Sequence, residues 1–215
     1  MKEYKLLIFD WDGTLVNSMD FIIECLITTA KELQLPITKE DLRSGIGLTA
    51  AEHLKLLFPE VDINIARECF YKHYFSGENN ERAYEGAFDT LRALKKHGYT
   101  LAIATNKSRK GFNLSLARMQ ATELFATTRT GDEGQTKPHP DVIVDVLAKL
   151  DIAATHALMI GDTVIDMQTA KSAGVDALAV TYGIGKREHL REYAPIGLID
   201  DVRHLHQLFI KKAAV

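Results

Sequence analysis

Four apolar positions in a row, Leu6-Leu7-Ile8-Phe9, run without a polar break into Asp10-Trp11-Asp12-Gly13-Thr14. An uninterrupted apolar run of this length predicts a strand over residues 4–9 that is buried on both faces, as in a parallel sheet. The pattern then turns helical over residues 18–75. Phe21, Ile22, Cys25, Leu26, Thr29, Ala30 and Leu33 recur at helical spacing, and Pro36 stops the helix they define. Further helices are predicted over 39–44, 49–58, closed by Pro59, and 63–75, with no strand in the block. The polar run from Ser76 to Glu81 reads as its exit.

From Tyr84 onward strands and helices alternate. Helix 88–97 ends at Gly98, a typical residue just past a helix end. Strand 100–105, helix 109–117, helix 140–150, strand 157–160, helix 166–173 with Gly174 as its stop, and strand 177–180 follow. A short strand at 196–199 and a helix at 202–210 close the pattern. Alternation of this kind predicts an α/β fold with a Rossmann-like parallel sheet and helices on both faces. The helical block interrupts it early. The expected domains are a catalytic core, residues 1–16 and 84–215, and an inserted helical bundle, residues 17–83.

Composition narrows the function more than the fold. The chain has 215 residues, 46% of them hydrophobic, and a formal net charge of −3. That is enough apolar content for a substantial core. No basic stripe with interleaved aromatics appears, so neither nucleic acid nor a membrane surface is an expected partner. Lys211-Lys212 reads as a short solvated tail. No apolar run approaches ~18 residues, and the chain runs directly into a strand, so a cytoplasmic location is expected. The cysteines, Cys25 and Cys69, lie on helical faces outside any CxxC or metal-like spacing, and read as buried free thiols. The eight histidines show no ligand set.

In open α/β folds the ligand site lies beyond the carboxyl ends of the strands. The residues that follow the predicted strands are Asp10-Trp11-Asp12, Thr105-Asn106-Lys107 and Gly161-Asp162-Thr163-Val164-Ile165-Asp166, and a loop before a helix carries Thr136-Lys137-Pro138. This set suits phosphoryl transfer. Clustered carboxylates repel one another unless a cation joins them, and hard oxygen ligands suit Mg2+. Such a metal and Lys137 would neutralise a phosphate dianion, while Thr105 and turn amides near Gly13 would bind its equatorial oxygens. Asp10 is then placed to attack, giving an aspartyl-phosphate, and Asp12 to move the proton.

Four motifs in order, Asp10-x-Asp12-Gly13-Thr14, Thr105-Asn106, Lys137-Pro138 and Gly161-Asp162-Thr163-x-x-Asp166, resemble those of the haloacid dehalogenase-like superfamily. The resemblance covers essentially the whole chain and includes the early helical insertion, which is similar to that superfamily's small cap. Asn17-Ser18, Tyr84-Glu85-Gly86 and Tyr182-Gly183 resemble its phosphoglycolate phosphatase-like branch. The resemblance implies a Mg2+-dependent phosphatase of a small phosphorylated metabolite. Asp10 would be nucleophile and metal ligand. Asp12 would be acid/base, with its main-chain carbonyl on the metal. Asp162 would be a further carboxylate ligand, and Asp166 would hold a metal-bound water or Lys137. Phosphate binding falls to Gly13, Thr105, Asn106 and Lys137. Trp11 departs from the more usual Leu or Phe and is expected to matter only for packing.

Each residue has a plainer reading. Asp12-Gly13 is a common turn dipeptide, Thr105, Asp162 and Asp166 suit helix starts, and a loop lysine is ordinarily solvated. The loop Arg43-Ser44-Gly45-Ile46-Gly47-Leu48 is either a substrate-selecting loop, with Arg43 gripping an anionic group, or a helix–helix turn. The rival functions are a sugar phosphomutase of the same superfamily and a regulatory protein on the same fold. The mutases carry a cap His or Lys soon after the first motif, and residues 17–24 hold neither. A monomer and a homodimer are both compatible with the sequence.

Overall fold

The structure, a computed structural model, describes residues 3–38, 40–76 and 80–210. In chain order its elements are β1 (Leu6–Phe9), β2 (Val16–Asn17), α1 (Met19–Glu32), α2 (Asp41–Ser44), α3 (Ala50–Leu57), α4 (Ile63–Ser76), β3 (Arg82–Ala83), α5 (Ala87–Lys96) and β4 (Thr100–Ala104). There follow α6 (Arg109–Arg118), β5 (Thr127–Arg129), α7 (Asp141–Leu150), β6 (Ala157–Gly161), α8 (Val164–Ser172), β7 (Asp176–Val180), α9 (Arg187–Glu192), β8 (Gly197–Ile199) and α10 (His204–Phe209). The chain divides into two compact units, one of Met1–Asn17 with Ala83–Val215 and one of Ser18–Arg82.

In the first unit six strands form a parallel sheet in the order β5-β4-β1-β6-β7-β8. The apolar run of β1 is explained by its central place, because all four of its side chains are fully buried. Successive strand residues point to opposite faces. Leu7 and Phe9 join Leu101, Ile103, Leu158 and Ile160 in one cluster, completed by Leu91, Leu94 and Phe112 from α5 and α6. Leu6 and Ile8 join Ala102, Ala104 and Met159 in another, with Val142, Ile143 and Val146 of α7 and Ala170 of α8. The sheet is therefore covered by helices on both faces, as its alternating pattern predicts. Burying one side chain such as Leu91 contributes about 1.5–3 kcal/mol. Trp11 is fully buried, stacks edge-on against Phe112 and donates from its indole N–H to Ser115 at 2.9 Å, so its effect is on packing.

The second unit is helical. Phe21, Cys25, Leu26 and Ala30 of α1 pack with Leu42, Leu54, Phe58, Phe70 and Tyr74. The helix ends ahead of Pro36, and Gln34 takes a left-handed turn with φ 57°. Thr49 and Glu52 close a reciprocal capping box at the start of α3, which sets its first residue. Lys39, the first residue expected in the next helix, lies outside the described residues, as do 77–79 of the polar exit and the Lys211-Lys212 tail; the described helix there is Asp41–Ser44.

Besides the two-residue strands β2 and β3, which pair with each other, two elements differ from the sequence expectation. Strand β5 reads Thr-Thr-Arg and carries no apolar run; it forms because its backbone completes the edge of the sheet beside β4. Helix α9 buries one side chain, Leu190, so it has no apolar stripe to reveal it.

Candidate active site

Strand register brings the motif residues together. β1 pairs with β4 on one side and β6 on the other, with Phe9 level with Ile103 and Ile160. The next residues out, Asp10, Thr105 and Asp162, therefore emerge at adjacent strand ends. Asp10 remains tied to the sheet, its amide donating to the Ile160 carbonyl at 2.9 Å. Carboxylate oxygens of Asp10, Asp162 and Asp166 lie within 4.8 Å of one another, and all three residues are buried. The Lys137 ammonium stands 2.8 Å from Asp10 and 2.6 Å from Asp166.

Three buried carboxylates set against one ammonium leave the cluster rich in negative charge. Burial, opposed by Lys137 and reinforced by Asp166, pushes the Asp10 carboxyl up to about 7. Burial, with the Asp166 and Asp10 carboxylates, holds Asp162 well above the usual range. Burial acts against the Lys137 charge, but Asp10 and Asp166 outweigh it and hold the ammonium above the ordinary lysine range. A compact set of hard oxygen donors with surplus negative charge fits a divalent cation of the Mg2+ type.

The surrounding residues fix each carboxylate. Thr14 Oγ1 donates to Asp162 Oδ1 at 2.9 Å, and the Ile184 amide donates to Asp162 Oδ2 at 2.9 Å. Asp166 is the third residue of α8, and its Oδ2 accepts from the Thr163 amide and hydroxyl at 2.9 and 2.8 Å, while Thr163 Oγ1 accepts from the Asp166 amide at 3.4 Å. This capping box turns the other carboxylate oxygen of Asp166 to Lys137. The backbone of the 182–185 loop passes so close to Asp162 that a Cβ on Gly183 would lie 2.4 Å from its carboxylate. Gly13 has φ 84°, and a Cβ there would lie 2.2 Å from Asp162 Oδ2.

Three motif residues make contacts that the sequence does not reveal. The Gly13 amide donates to the Val16 carbonyl at 2.9 Å, and those of Leu15 and Val16 to the Trp11 carbonyl at 3.0 Å, so this tight turn takes up amides expected on phosphate. Asn106 donates from Nδ2 to the Lys137 carbonyl at 3.0 Å and accepts the Lys137 amide at 2.8 Å, so its side chain positions the lysine loop. The Asp12 carboxylate stands outside the three-carboxylate cluster and pairs with Lys107 at 2.9 Å, which leaves only its main-chain carbonyl for a metal role.

The remaining expected residues are placed as follows. Thr105 is buried, and its hydroxyl accepts from the Lys107 amide at 3.3 Å, leaving its O–H to donate. The Lys137-Pro138 peptide is cis. Arg43 belongs to α2 of the helical unit, where its side chain is exposed. Sequence reasoning missed Thr14, Thr163 and the Ile184 amide as supports. Thr14 and Thr163 stood inside motifs, whereas a main-chain donor such as Ile184 leaves no trace in residue type.

A parallel sheet that carries clustered carboxylates and a lysine at its strand ends is the framework of an α/β hydrolytic enzyme. Residues 7–180 match the haloacid dehalogenase-like hydrolase family, and the chain belongs to it. It is 33% identical over 214 residues to a phosphoglycolate phosphatase from Pseudomonas savastanoi pv. phaseolicola, covering 94% of this chain and 78% of that one. It is 32% identical over 202 residues to the pyrophosphatase PpaX of Anoxybacillus flavithermus, covering 93% and 94%. The crystal structure of a predicted phosphoglycolate phosphatase from Haemophilus somnus superposes with a TM-score of 0.90 at 28% identity, covering 97% and 99%.

Proposed function

We propose that the protein is a Mg2+-dependent phosphatase that hydrolyses a small phosphorylated metabolite through an aspartyl-phosphate on Asp10. The observation that carries this reading is Asp10 itself, a buried carboxylate at a rigid strand end with the Lys137 ammonium 2.8 Å away. Asp10 attacks phosphorus and the bond to the leaving oxygen breaks. Asp12 gives that oxygen its proton. Asp12 then takes a proton from water, the water oxygen attacks phosphorus, and the Asp10 carboxylate is released. Lys137 balances the phosphate charge, and the Thr105 hydroxyl donates to an equatorial oxygen. Asp10, Asp162 and Asp166, with the main-chain carbonyl of Asp12, would hold Mg2+, which when bound supplies charge neutralisation to the transferring group.

Residues 17–83 take the part of the substrate-selecting cap, with Arg43 as its anion-gripping side chain. The net charge of −3 supports a small-molecule partner over nucleic acid. Among the described residues no helix is long and apolar enough to cross a membrane. The cytoplasm is the proposed compartment, with the protein acting as a monomer or homodimer. The test is a panel of phosphoglycolate, sugar phosphates and pyrophosphate assayed with Mg2+. Turnover of a phosphomonoester is expected. Hydrolysis confined to pyrophosphate would replace this reading with phosphoric anhydride chemistry. Arg43→Ala should shift the order of preference within the panel while sparing an aryl phosphate; equal losses on all substrates would make Arg43 structural.

A further inference from the structure

We infer that Glu32, Cys69 and His73 form a second metal site in the helical unit, one that takes a thiolate-preferring ion of the Zn2+ class. Cys69 and His73 stand four residues apart on α4, so they share one face of the helix, one turn apart. Glu32 is the last residue of α1. Its carboxylate, the Cys69 sulfur and a ring nitrogen of His73 lie within 4.8 Å of one another, with His73 Nε2 2.8 Å from Glu32 Oε2. Along the chain neither cysteine stands in a metal-like spacing, and the histidines show no ligand set. The helix packing supplies the third donor, because Glu32 is remote in sequence from the other two.

The donor set chooses the ion. Thiolate, imidazole and carboxylate are the three ligand types that Zn2+ accepts, and three protein donors leave a fourth position for water. A thiolate donor disfavours Mg2+, so this site and the all-carboxylate cluster select different metals. The burial pattern suits entry from solvent, with Cys69 buried, His73 half-buried and Glu32 exposed. The Lys72 ammonium, 2.8 Å from Glu32, sits on a side chain 62% exposed and swings into water when a cation arrives. Binding replaces the thiol proton, which leaves to solvent, and takes His73 as neutral imidazole with Nδ1 protonated. The bound ion ties the end of α1 to α4.

Co2+ reports on this site directly, since thiolate ligation gives a near-ultraviolet charge-transfer band that carboxylates do not. Metal-stripped full-length protein titrated with Co2+ should develop the band at one equivalent per chain. Zn2+ should displace it, and excess Mg2+ should not. Asp10→Asn and Cys25→Ser should retain it, and Cys69→Ser should lose it. Because Cys69 is buried, Glu32→Gln and His73→Ala provide the second test at more exposed positions. Each should weaken Co2+ binding at least about tenfold with the far-ultraviolet spectrum unchanged. Absence of the band, its loss in Cys25→Ser, or its full retention in both Glu32→Gln and His73→Ala would overturn the site.

Discussion

Lys137 carries the charge balance of the carboxylate cluster, with its ammonium fully enclosed between Asp10 and Asp166. Replacing it by methionine keeps the bulk and leaves buried carboxylates facing one another. Lys137→Met should therefore lower stability by about 3–5 kcal/mol in urea titrations, and reduce turnover on the order of 100-fold or more. Turnover near that of the parent would contradict the role given to this lysine. His53 makes a different case. Its Nε2 is buried with no hydrogen-bond partner among the described residues, and the ring packs so closely on Gly45 that a Cβ there would lie 2.2 Å from it. Burial pushes this imidazole from 6.5 down to about 4. The folded protein thus keeps His53 neutral where the unfolded chain would bind a proton. The His53 contribution to stability is complete above about pH 6.5 and is lost as the pH drops towards 4, by roughly 3 kcal/mol in all. His53→Met should flatten this acid limb when unfolding free energy is measured from pH 7 to pH 4. An unchanged slope would place the acid sensitivity elsewhere. The chemistry-bearing residues were legible in the sequence because each directly follows a strand or precedes a helix. Their partners were not, because Asn106 meets Lys137, and Lys107 meets Asp12, across long stretches of chain.

Helix α8 couples local structure to chemistry. Its first turn is built by Thr163 and Asp166, the same Asp166 that receives Lys137. Thr163→Ala should cost about 1 kcal/mol of stability, as loss of a helix cap generally does. It should also lower kcat more than KM, since the freed carboxylate no longer aligns the ammonium. Thr163→Ser should preserve both, and an alanine variant that loses stability without losing kcat would separate the cap from the site. The same elements show why some of the fold could be read and some could not. β1 announced itself because both of its faces are buried, and α1 because one face is. β5 is held by backbone pairing at the sheet edge, with Arg129 buried and paired to Asp145, so its residue types do not resemble a core strand. α9 carries a single buried leucine. Pattern reading detects apolar faces, and these elements have almost none.

For the molecule as a whole, family membership follows from the order of four motifs along one sheet, and the fold class was legible from alternating strands and helices. The proposed metal links activity to stability, because an ion that binds only the folded state raises the free energy of unfolding. At 100 times its dissociation constant that gain is about 2.7 kcal/mol. Chelation should stop turnover and lower the unfolding temperature together, and Mg2+ should restore both. Full activity after exhaustive chelation would remove the metal from the account. The central claim is the nucleophile, and it can be read by trapping. With an aryl phosphate the leaving group needs no proton, so Asp12→Asn should still form the acyl-phosphate yet hydrolyse it slowly. Acid quench of that variant during turnover, borohydride reduction and peptide mass spectrometry should find homoserine at position 10. Reduction at another carboxylate, or turnover with no reducible adduct, would contradict Asp10 as the residue that attacks phosphorus.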